Sequence, residues 1–392
     1  MLKILVLSFY YQPDLCAGSF RCTALVNHLS RHDVQIDLVT TAPNRYSSFK
    51  QNAPKFERKG NVRVHRILMS SHESGMTDQI MAFSAYYRGA MKLVAKNDYD
   101  IVFATSSRLF TAFLGARIAK QKKAPLYLDV RDIFVDTMTD ILSPKVTWIA
   151  GPLLSLIERY TFSTAKHINL VSEGFLQYFE ERYRRASFSF FTNGIDQEFL
   201  DASPATRIEH EEKDIVNVLY AGNIGEGQGL HLILPELAKW LNTRVKFIII
   251  GDGGQCKKLK QTIEKLSLNN VELIPPVTRA RLIEEYIKAD VLFLHLNDYP
   301  AFEKVLPSKL FEYAAMGKPI WAGLNGYSAS FAKAEIVGCE VFLPGNIGDA
   351  IDKFDALKLN TEPRLEFMRK FKRDNIMNKM VSDILRVAKD HA

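Results

Sequence analysis

A short stretch near residue 310 carries a hydroxyl, a cation and a carboxylate within about two helical turns. Pro307, Ser308 and Lys309 stand directly before an apolar run, Glu312 follows within the run, and Gly317 closes it. Ser308 is a favourable N-cap residue, and glycine is favoured just beyond a helix C-terminus. The pattern therefore predicts a short helix over residues 309–316 with Ser308 as its N-cap.

Lys309 and Glu312 are expected to share one face of this helix, because residues at i and i+3 are neighbours on a helix surface. A helix N-terminus is the positive end of the helix dipole, so a lysine in the first turn is unfavourable unless an anion binds there. A carboxylate behind a bound phosphate is well placed to accept hydrogen bonds from a vicinal diol such as ribose. The spacing therefore indicates a nucleotide site. The alternative is an ordinary surface ion pair.

A glycine-rich loop follows an apolar strand pattern near residue 220. It contains Gly222, Asn223, Gly225 and Gln228, and a second glycine cluster begins at Gly251 after the next strand pattern. Glycines after a strand let a ligand approach the backbone, and amides at the start of the next helix can face phosphate. The spacing matches neither the dinucleotide-binding fingerprint nor the P-loop. A plain tight turn is the alternative interpretation.

The elements that must position these residues alternate between strands and helices along the chain. Continuous apolar strand patterns, such as VQIDLVT and VKFIIIG, are each followed by a helical pattern. This alternation is typical of parallel sheets that helices cover on both faces. The sequence therefore predicts an α/β fold of two doubly wound, Rossmann-like domains. Because ligands bind beyond the carboxyl ends of parallel strands, we expect the two domains to face a cleft.

The domain boundary is expected where the apolar pattern lapses into Pro, Ser and charge after NGID, residues 193–196. We assign residues 1–198 to an N-terminal domain and residues 199–374 to a C-terminal domain. Residues 375–392 are predicted to form one further helix. Its apolar face must be buried on one of the two domains, and the N-terminal domain is the candidate.

The positive charge of the chain is confined to its first half. The net charge is +7, and residues 1–200 hold 25 Lys and Arg against 18 Asp and Glu, while the remainder holds 26 of each. A localised excess indicates an anionic partner, such as a phosphate-bearing substrate or an acidic membrane, or a chance surplus on a solvated surface. No motif indicates a nucleic-acid partner. Apolar runs too short to span a bilayer and scattered cysteines favour a cytosolic protein with reduced thiols.

The segment FSAYYRGAMKLVAK, residues 83–96, predicts an amphipathic helix. Arg88, Lys92 and Lys96 recur at helical spacing and form a basic stripe, while aromatic and aliphatic residues fill the opposite face. Together with the apolar segment WIAGPLLSLIERY, this stripe indicates a protein that binds an anionic membrane surface from one side. The alternative is a helix that packs only on its own sheet.

These motifs together resemble those of the family 4 (group 1) glycosyltransferases, which have the GT-B fold. The chain is most similar to the branch that builds bacterial surface polysaccharides, including aminosugar transferases of O-antigen and capsule synthesis. The resemblance covers nearly the whole chain. It rests on residues 17–19 (AGS), 129–132 (DVRD), 172–173 (SE), 193–196 (NGID), 220–225 (YAGNIG), 251–253 (GDG) and 307–319 (PSK to GKP).

The resemblance implies a nucleotide-sugar donor bound by the C-terminal domain and an acceptor bound by the N-terminal domain. Glu312 matches the second Glu of the family's E-x7-E motif and would hold the ribose. Lys309 and the loop from Gly222 to Gln228 would meet the diphosphate. The full set of implied donor-site residues is Gly18, Gly222, Asn223, Gly225, Gln228, Gly251, Pro276, Val277, Lys304, Pro307, Ser308, Lys309 and Glu312. Pro276 and Val277 would edge the base, and His295 is a further candidate to line the site.

Some positions depart from the family pattern. Lys304 stands where many relatives have the first Glu of E-x7-E, and Asn223 and Gln228 stand where many have Arg and Lys. The usual pair of phosphate-binding cations is therefore missing. Lys309, together with Lys304, is the expected substitute, and how the transferred sugar is held stays open.

Asp129, Arg131 and Asp132 end the strand pattern PLYLDV and are the predicted catalytic residues. At the carboxyl end of a strand they would bind the acceptor or deprotonate it. The alternatives are an Asp–Arg pair that only fixes the loop, and a metal site. Because residues 298–300 (DYP) lack the DxD pattern of metal-dependent transferases, we expect no metal and no other cofactor.

The predicted function is a retaining transfer of a sugar from a nucleotide-sugar to a lipid-linked or oligosaccharide acceptor. The resemblance favours a UDP-linked, N-acetylated aminosugar and a cytoplasmic enzyme at the inner face of the bacterial plasma membrane. One alternative is a nucleotide-sugar epimerase of GT-B fold, which would consume donor without an acceptor. The other is a non-catalytic nucleotide-sugar binding partner, which the substitutions at Asn223, Gln228 and Lys304 would allow.

Overall fold

The chain divides into two compact units. The computed structural model describes residues 1–43, 52–69, 76–106, 109–133, 144–209 and 213–391. The first unit contains Met1–Asn193 and Asp374–Ala392, and the second contains Gly194–Arg373. The second unit is therefore inserted, in sequence, between the body of the first unit and its last helix.

The first unit is built on a sheet that has eight strands within the described residues, in the order β3-β4-β2-β1-β5-β6-β7-β8. Every neighbouring pair is parallel except β3 and β4. The strands are β1 (Leu2–Leu7), β2 (Val34–Thr41), β3 (Phe56–Lys59), β4 (Val62–Ile67), β5 (Ile101–Thr105), β6 (Leu126–Val130), β7 (His167–Leu170) and β8 (Ser187–Ser189). The buried strands β1, β5 and β6 are the continuous apolar runs expected of a covered parallel sheet.

The edge strand β3 was not predicted. Its sequence FERK has one apolar side chain and is mostly exposed, so it shows neither alternation nor an apolar run. It pairs antiparallel with β4 and covers that side of the sheet. The helices of this unit are α1 (Ala17–Leu29), α2 (Met76–Val94), α3 (Leu109–Lys122), α4 (Pro144–Thr164) and α5 (Leu176–Arg182).

The second unit is built on a sheet of parallel strands in the order β11-β10-β9-β12-β13-β14. The strands are β9 (Val216–Asn223), β10 (Val245–Asp252), β11 (Val271–Ile274), β12 (Val291–His295), β13 (Ile320–Gly323) and β14 (Cys339–Phe342). The helices are α6 (Gln197–Asp201), α7 (Leu230–Trp240), α8 (Cys256–Lys265), α9 (Arg279–Lys288), α10 (Lys309–Ala315), α11 (Gly326–Glu335), α12 (Ile347–Asp355) and α13 (Leu365–Phe371). Apolar clusters lie on both faces of this sheet.

The last helix, α14 (Arg373–Lys389), belongs to the first unit from Asp374 onward. Met377, Met380 and Ile384 are fully buried in the core of that unit, together with residues of β1 and α1. Within the described residues, no helix has both the length and the apolar character needed to cross a bilayer.

The boundary between the units lies at residues 193 and 194, earlier than the predicted position at 198 and 199. The reason is a backbone bridge that ties the segment to the second unit. The N–H of Ile195 donates to the carbonyl of Phe371 at 2.8 Å, and the N–H of Arg373 donates to the carbonyl of Ile195 at 2.9 Å. Asp196 adds ion pairs to Arg279 and Arg373, so NGID joins the second unit directly after its asparagine.

Candidate functional site

The carboxyl ends of β9 and β10 bring the two glycine clusters of the second unit side by side. The parallel register places Gly251 beside Gly222. A Cβ on Gly251 would lie 1.8 Å from the carbonyl oxygen of Gly222, and the φ of Gly251 is +154°. Any side chain at this position would displace the neighbouring strand. The close approach therefore requires glycine and sets the path of the chain into the following loop.

Helix α10 places Lys309 and Glu312 together, as the spacing predicted. Nζ of Lys309 donates to Oε2 of Glu312 at 2.8 Å. This is not an ordinary surface pair, because the side chain of Glu312 is only 8% exposed and that of Lys309 only 24%. A Cβ on Gly222 would lie 3.7 Å from Cε of Lys309, so the lysine stem passes beside the glycine loop. The structure thus joins the Lys–Glu pair to the predicted phosphate loop.

A third polar group, the hydroxyl of Tyr286 on α9, completes this cluster. It accepts from Nζ of Lys309 at 3.1 Å and donates to Oε2 of Glu312 at 3.4 Å. Burial, reinforced by the Glu312 carboxylate, raises the pKa of the Tyr286 hydroxyl well above its ordinary value, so it stays protonated. Burial opposes the charge on Lys309, but the Glu312 carboxylate outweighs it, and the pKa of the lysine is raised. The cluster therefore keeps a charged lysine.

Ser308 is not the side-chain cap that we predicted. Its φ of −61° and ψ of −25° are already helical, and its side chain makes no capping hydrogen bond. The N–H groups of Leu310 and Phe311 instead donate to the carbonyls of Pro307 and Ser308, at 3.2 Å each. These i to i+3 bonds begin the helix with a tight turn, so the serine does not cap it. Pro307 and Ser308 thus form the entry to α10.

Asn223 and Gln228 brace the glycine loop from within. Nδ2 of Asn223 donates to Oε1 of Gln228 at 2.8 Å, and the same oxygen accepts the N–H of Gly225 at 3.3 Å. The two side chains that stand where many relatives have cations are therefore used to shape the loop. Lys309 remains as a cation that passes beside it.

The end of β12 holds three consecutive carbonyls of the same loop. Nδ1 of His295 donates to the carbonyl of Gln228 at 2.7 Å, while N and Nδ2 of Asn297 donate to the carbonyls of Gly227 and Glu226 at 2.8 and 3.1 Å. The N–H of Gly345 donates to Nε2 of His295 at 3.2 Å, which assigns the ring proton to Nδ1.

Burial lowers the pKa of His295 to about 4, so the ring is neutral near pH 7. Its side chain is buried, and both ring nitrogens are bonded to backbone groups. His295, the further candidate to line the site, therefore positions the glycine loop through both of its ring nitrogens.

The remaining predicted donor residues of this unit lie in segments that flank the loop. Lys304 ends a short 3-10 turn, Pro300–Lys304, and is half-buried. This turn packs on the loop, because a Cβ on Gly227 would lie 2.8 Å from Cζ of Phe302. Pro276 and Val277 connect β11 to α9 and are half-buried, and Val277 packs against the core.

In the first unit, Asp129 lies at the end of β6 and is almost completely buried. Nε and Nη2 of Arg21 donate to its two oxygens at 2.8 and 2.9 Å, and Nδ2 of Asn169 donates to Oδ1 at 2.7 Å. Burial favours the neutral acid, but the Arg21 guanidinium outweighs it and holds the pKa of Asp129 below its ordinary value. This placement favours the alternative of a structural Asp–Arg pair, with Arg21 as the partner.

Arg131 and Asp132 leave the strand toward the start of α1. Nη1 of Arg131 donates to the carbonyl of Ala17 at 3.1 Å, and its backbone N–H donates to Oγ of Ser106 at 3.0 Å. Arg131 thus contacts the residue before Gly18, the second residue of α1. Asp132 is exposed, unlike Asp129. Among the three predicted catalytic residues, Asp132 therefore has the carboxylate that a solvent-borne substrate can reach.

No sequence motif identified Arg21, Asn169, Tyr286 or Asn297. For Arg21 the sequence held one weak indication. It lies one helical turn before Leu25, on the apolar face of α1, and a charged side chain on a buried face needs a partner. The sequence held no such indication for Tyr286 and Asn297, because their partners lie in other elements. Among the described residues, no group of three His, Cys, Asp or Glu side chains is placed to hold a metal ion.

By its fold, the chain is an α/β protein of two units in which both sheets are mainly parallel. Two family models match this chain. The model described as Glycosyl transferase 4-like domain matches residues 19–194, and the model described as Glycosyl transferases group 1 matches residues 204–374. Together they cover most of the chain, which therefore belongs to the group 1, family 4-like glycosyl transferases, as the resemblance implied.

Two similar proteins extend over almost the full length. The Escherichia coli (strain K12) protein WcaI, named as a colanic acid biosynthesis glycosyl transferase, is 23% identical over 98% of this chain and 100% of its own length. A 2-deoxystreptamine N-acetyl-D-glucosaminyltransferase of Niallia circulans is 22% identical over 92% of each chain.

A solved structure supports the same fold. Anabaena Alr3699/HepE, determined in complex with UDP-glucose, superposes with a TM-score of 0.68 at 16% identity, covering 98% of this chain and 100% of its own. At that identity the likeness concerns the fold alone. The predicted GT-B fold class is confirmed.

Proposed function

We propose that this glycosyltransferase is a retaining enzyme that moves a sugar from a nucleotide-sugar to a lipid-linked or saccharide acceptor. The donor is a UDP-linked, N-acetylated aminosugar, and the product belongs to a cell-surface polysaccharide such as O-antigen or capsule. The observation that carries the proposal is the cluster of Lys309, Glu312 and Tyr286 beside Gly222.

The chemistry of this cluster suits a nucleoside diphosphate leaving group. The hydrogen bonds of Lys309 to Glu312 and Tyr286 use two of the three N–H groups on Nζ, and the third can face an anion next to the glycine loop. A positive charge held in a partly buried site stabilises the negative charge that develops on the departing diphosphate. The Glu312 carboxylate, one helical turn away, suits the ribose diol of the same ligand.

The relatives support the finer parts of the proposal. WcaI is named for colanic acid biosynthesis, which supports a surface polysaccharide as the product. The Niallia circulans enzyme is named for N-acetyl-D-glucosaminyl transfer, which supports an aminosugar. HepE was determined with UDP-glucose, so UDP-sugars are the first donors to test.

A thermal-shift panel of UDP-, GDP-, dTDP- and CMP-sugars tests the donor. We expect a UDP-sugar to raise the midpoint of unfolding most, because a ligand that binds only the folded state stabilises it by mass action. Glu312→Ala should abolish this shift. Glu272→Ala is the matched control, since Glu272 forms an exposed ion pair with Lys246 in the same unit. A shift that persists in Glu312→Ala would remove Glu312 from the donor site.

Turnover distinguishes the transferase from the alternatives. Incubation with UDP-N-acetylglucosamine and a lipid-diphosphate acceptor should release UDP only when the acceptor is present, and nuclear magnetic resonance of the product should show a retained anomeric configuration. Conversion of the donor without an acceptor would identify an epimerase. Donor binding without release of UDP under any acceptor would identify a binding protein.

For the acceptor side we propose Asp132, the exposed carboxylate of the group with Asp129 and Arg131, as the residue that binds or deprotonates the acceptor. Asp132→Asn should lower kcat about a hundredfold, within the usual contribution of general-base catalysis. The donor-induced thermal shift should stay unchanged, because the donor cluster lies in the other unit. An unchanged kcat would exclude Asp132 from the reaction.

We also propose that the reaction needs no metal ion, because Lys309 supplies the positive charge at the diphosphate. Dialysis against EDTA should leave the rate of transfer unchanged. Lys309→Ala should lower kcat about a hundredfold or more, the usual cost of removing one group that stabilises developing charge. Recovery of activity on adding Mg²⁺ or Mn²⁺ to the dialysed enzyme would contradict the proposal.

We infer that the first unit attaches the enzyme to an anionic membrane, the cytoplasmic face of the bacterial plasma membrane. Of the predicted basic stripe, Arg88 and Lys92 are exposed on α2, whereas Lys96 is exposed but lies two residues beyond Val94, where the helix ends. Helix α3 contacts both α2 and α4. On α4, Leu153 and Leu156 are 61% and 64% exposed. Exposed cations and exposed leucines, here on two helices that both contact α3, are the kinds of residue that bind such surfaces.

Vesicle sedimentation tests this attachment. The protein should sediment with phosphatidylglycerol vesicles at low salt and remain in solution with phosphatidylcholine. Replacing Arg88, Lys92 and Lys96 by Gln should abolish sedimentation. Replacing Lys257, Lys258 and Lys260, which are equally exposed on α8 of the second unit, should not. Equal loss in both variants would indicate attraction by net charge alone.

A further inference from the structure

Tyr286 is the buried member of the donor cluster that no sequence motif identifies. Its side chain is completely buried, whereas that of Lys309 is about a quarter exposed. The hydroxyl lies 3.1 Å from Nζ of Lys309 and 3.4 Å from Oε2 of Glu312. A phenol can accept from an ammonium and donate to a carboxylate at the same time. The ammonium, the phenol and the carboxylate therefore form hydrogen bonds to one another, and each donor meets an acceptor.

The ring of Tyr286 is held from two sides. It meets the ring of Tyr313 edge-on, with centroids 5.3 Å apart and an interplanar angle of 89°, and it stacks on Phe199 at 6.0 Å. Tyr313 is anchored in turn, because its hydroxyl accepts the N–H of Ala221 at 3.1 Å. Aromatic contacts of this kind fix the orientation of a ring, so the Tyr286 hydroxyl has a defined position.

The contacts to Glu312 are unequal between its two oxygens. Lys309 and Tyr286 both donate to Oε2, and within the part of the chain that the structure describes no hydrogen-bond donor contacts Oε1. A carboxylate has about four lone-pair sites on its two oxygens. Two donors on one oxygen set the plane of the carboxylate and leave the other oxygen for a ligand.

We propose that Tyr286 is a positioning residue of the donor site. Its hydroxyl, with Lys309, fixes Oε2 of Glu312 and so presents Oε1 to the ribose hydroxyls of the nucleotide. This inference rests on the proposed function, because it takes a ribonucleoside diphosphate as the ligand. It adds a residue from α9 to a site otherwise built by α10 and the loop after β9.

The test compares a ribonucleoside diphosphate with its 2′-deoxy form by isothermal titration calorimetry. UDP and 2′-deoxy-UDP are the first pair, and the corresponding pair for another base is used if that base binds better. In the unmodified protein we expect UDP to bind about tenfold tighter or more, because a hydrogen bond to a charged group contributes at least that factor. The ratio of the dissociation constant of 2′-deoxy-UDP to that of UDP measures the contact between the ribose and Glu312.

Tyr286→Phe removes only the hydroxyl. We expect the ratio to fall severalfold, toward the value for Glu312→Gln, because the carboxylate is no longer held by two donors on Oε2. Tyr313→Phe is the matched control. Tyr313 is an equally buried tyrosine in contact with Tyr286, but its hydroxyl bonds to a backbone N–H, so its variant should keep the ratio even if stability falls.

A double variant separates positioning from a general loss of structure. In a Glu312→Gln background, Tyr286→Phe should leave the ratio unchanged, because its effect passes through the carboxylate. An unchanged ratio in Tyr286→Phe alone, or no discrimination in the unmodified protein, would overturn the inference while the donor proposal stands. Failure of the unmodified protein to bind any nucleoside diphosphate would overturn both.

Discussion

At the scale of single residues, Gly251 is a position where a single added Cβ atom would clash with the neighbouring strand. A Cβ there would lie 1.8 Å from the carbonyl oxygen of Gly222. We expect Gly251→Ala to destabilise the protein by at least about 3 kcal/mol, because the strand end must move and the backbone is strained. Gly254→Ala, three positions later and with nothing within 4 Å, should stay within about 0.5 kcal/mol. Urea unfolding of both variants checks this, and equal stabilities would contradict it.

Asp129 is a predicted catalytic residue whose burial and pairing with Arg21 favour a structural role. Asp129→Asn should destabilise the protein by about 3–5 kcal/mol, because it leaves the buried Arg21 guanidinium without its counter-charge. Replacing both Arg21 and Asp129 by Leu should recover much of that loss, since both buried charges are removed. A stable but inactive Asp129→Asn protein would instead restore the catalytic interpretation.

The spacing of Lys309 and Glu312 was sufficient to predict that they pair, because helix geometry brings i and i+3 together. It was not sufficient to predict Tyr286, which approaches from α9, or Arg21, which lies far in sequence from Asp129. These contacts depend on how separate elements pack, and the local pattern of one element carries no information about them.

At the scale of elements, the loop after β9 is held by the end of β12 through a neutral histidine. The pKa of His295 is about 4 in the folded protein and about 6.5 in an unfolded chain. Between these values the unfolded chain binds a proton that the folded protein does not, so acidification favours unfolding. The stabilisation is complete above pH about 6.5 and is lost as the pH falls to about 4.

We therefore expect the free energy of unfolding to fall by up to about 3 kcal/mol over this range on account of His295. His295→Asn removes the titration and keeps a donor near Nδ1, so its stability should depend less steeply on pH. Urea unfolding at pH 7.0, 5.5 and 4.5 measures how the free energy of unfolding changes with pH in the unmodified protein and in His295→Asn. Parallel curves for the two proteins would show that His295 does not titrate in this way.

Most elements of both sheets were predictable, because buried parallel strands are continuous apolar runs. The failures have specific physical causes. Strand β3 is polar and exposed and depends on its partner β4 for its conformation. Ser308 has the residue type of a cap, but its backbone is already helical and its side chain makes no capping hydrogen bond.

At the scale of the molecule, the first unit depends on residues that follow the second unit. Met377, Met380, Val381 and Ile384 of α14 are completely buried in its core. Each contributes about 1.5–3 kcal/mol, and together they approach the whole stability of an ordinary domain, about 5–15 kcal/mol. Removal of residues 374–392 should therefore unfold the first unit, whereas removal of residues 391–392 should be tolerated. Soluble yield and circular dichroism measure both outcomes.

The two-domain fold was predictable from the repeated strand and helix pattern, but the limits of the units were not. The composition changes gradually after NGID, while the structural limit is set by the backbone bridge between Ile195 and Lys372. That bridge joins residues far apart in sequence, so no local signal marks it.

The order in which the units occur along the chain has a consequence for biosynthesis. The second unit is one continuous stretch and can complete its core as soon as Arg373 has left the ribosome. The first unit, although its body is made earlier, lacks α14 until that helix has also left the ribosome. We expect the growing chain to carry an unfinished N-terminal half that needs shielding from aggregation, while the later half is already folded.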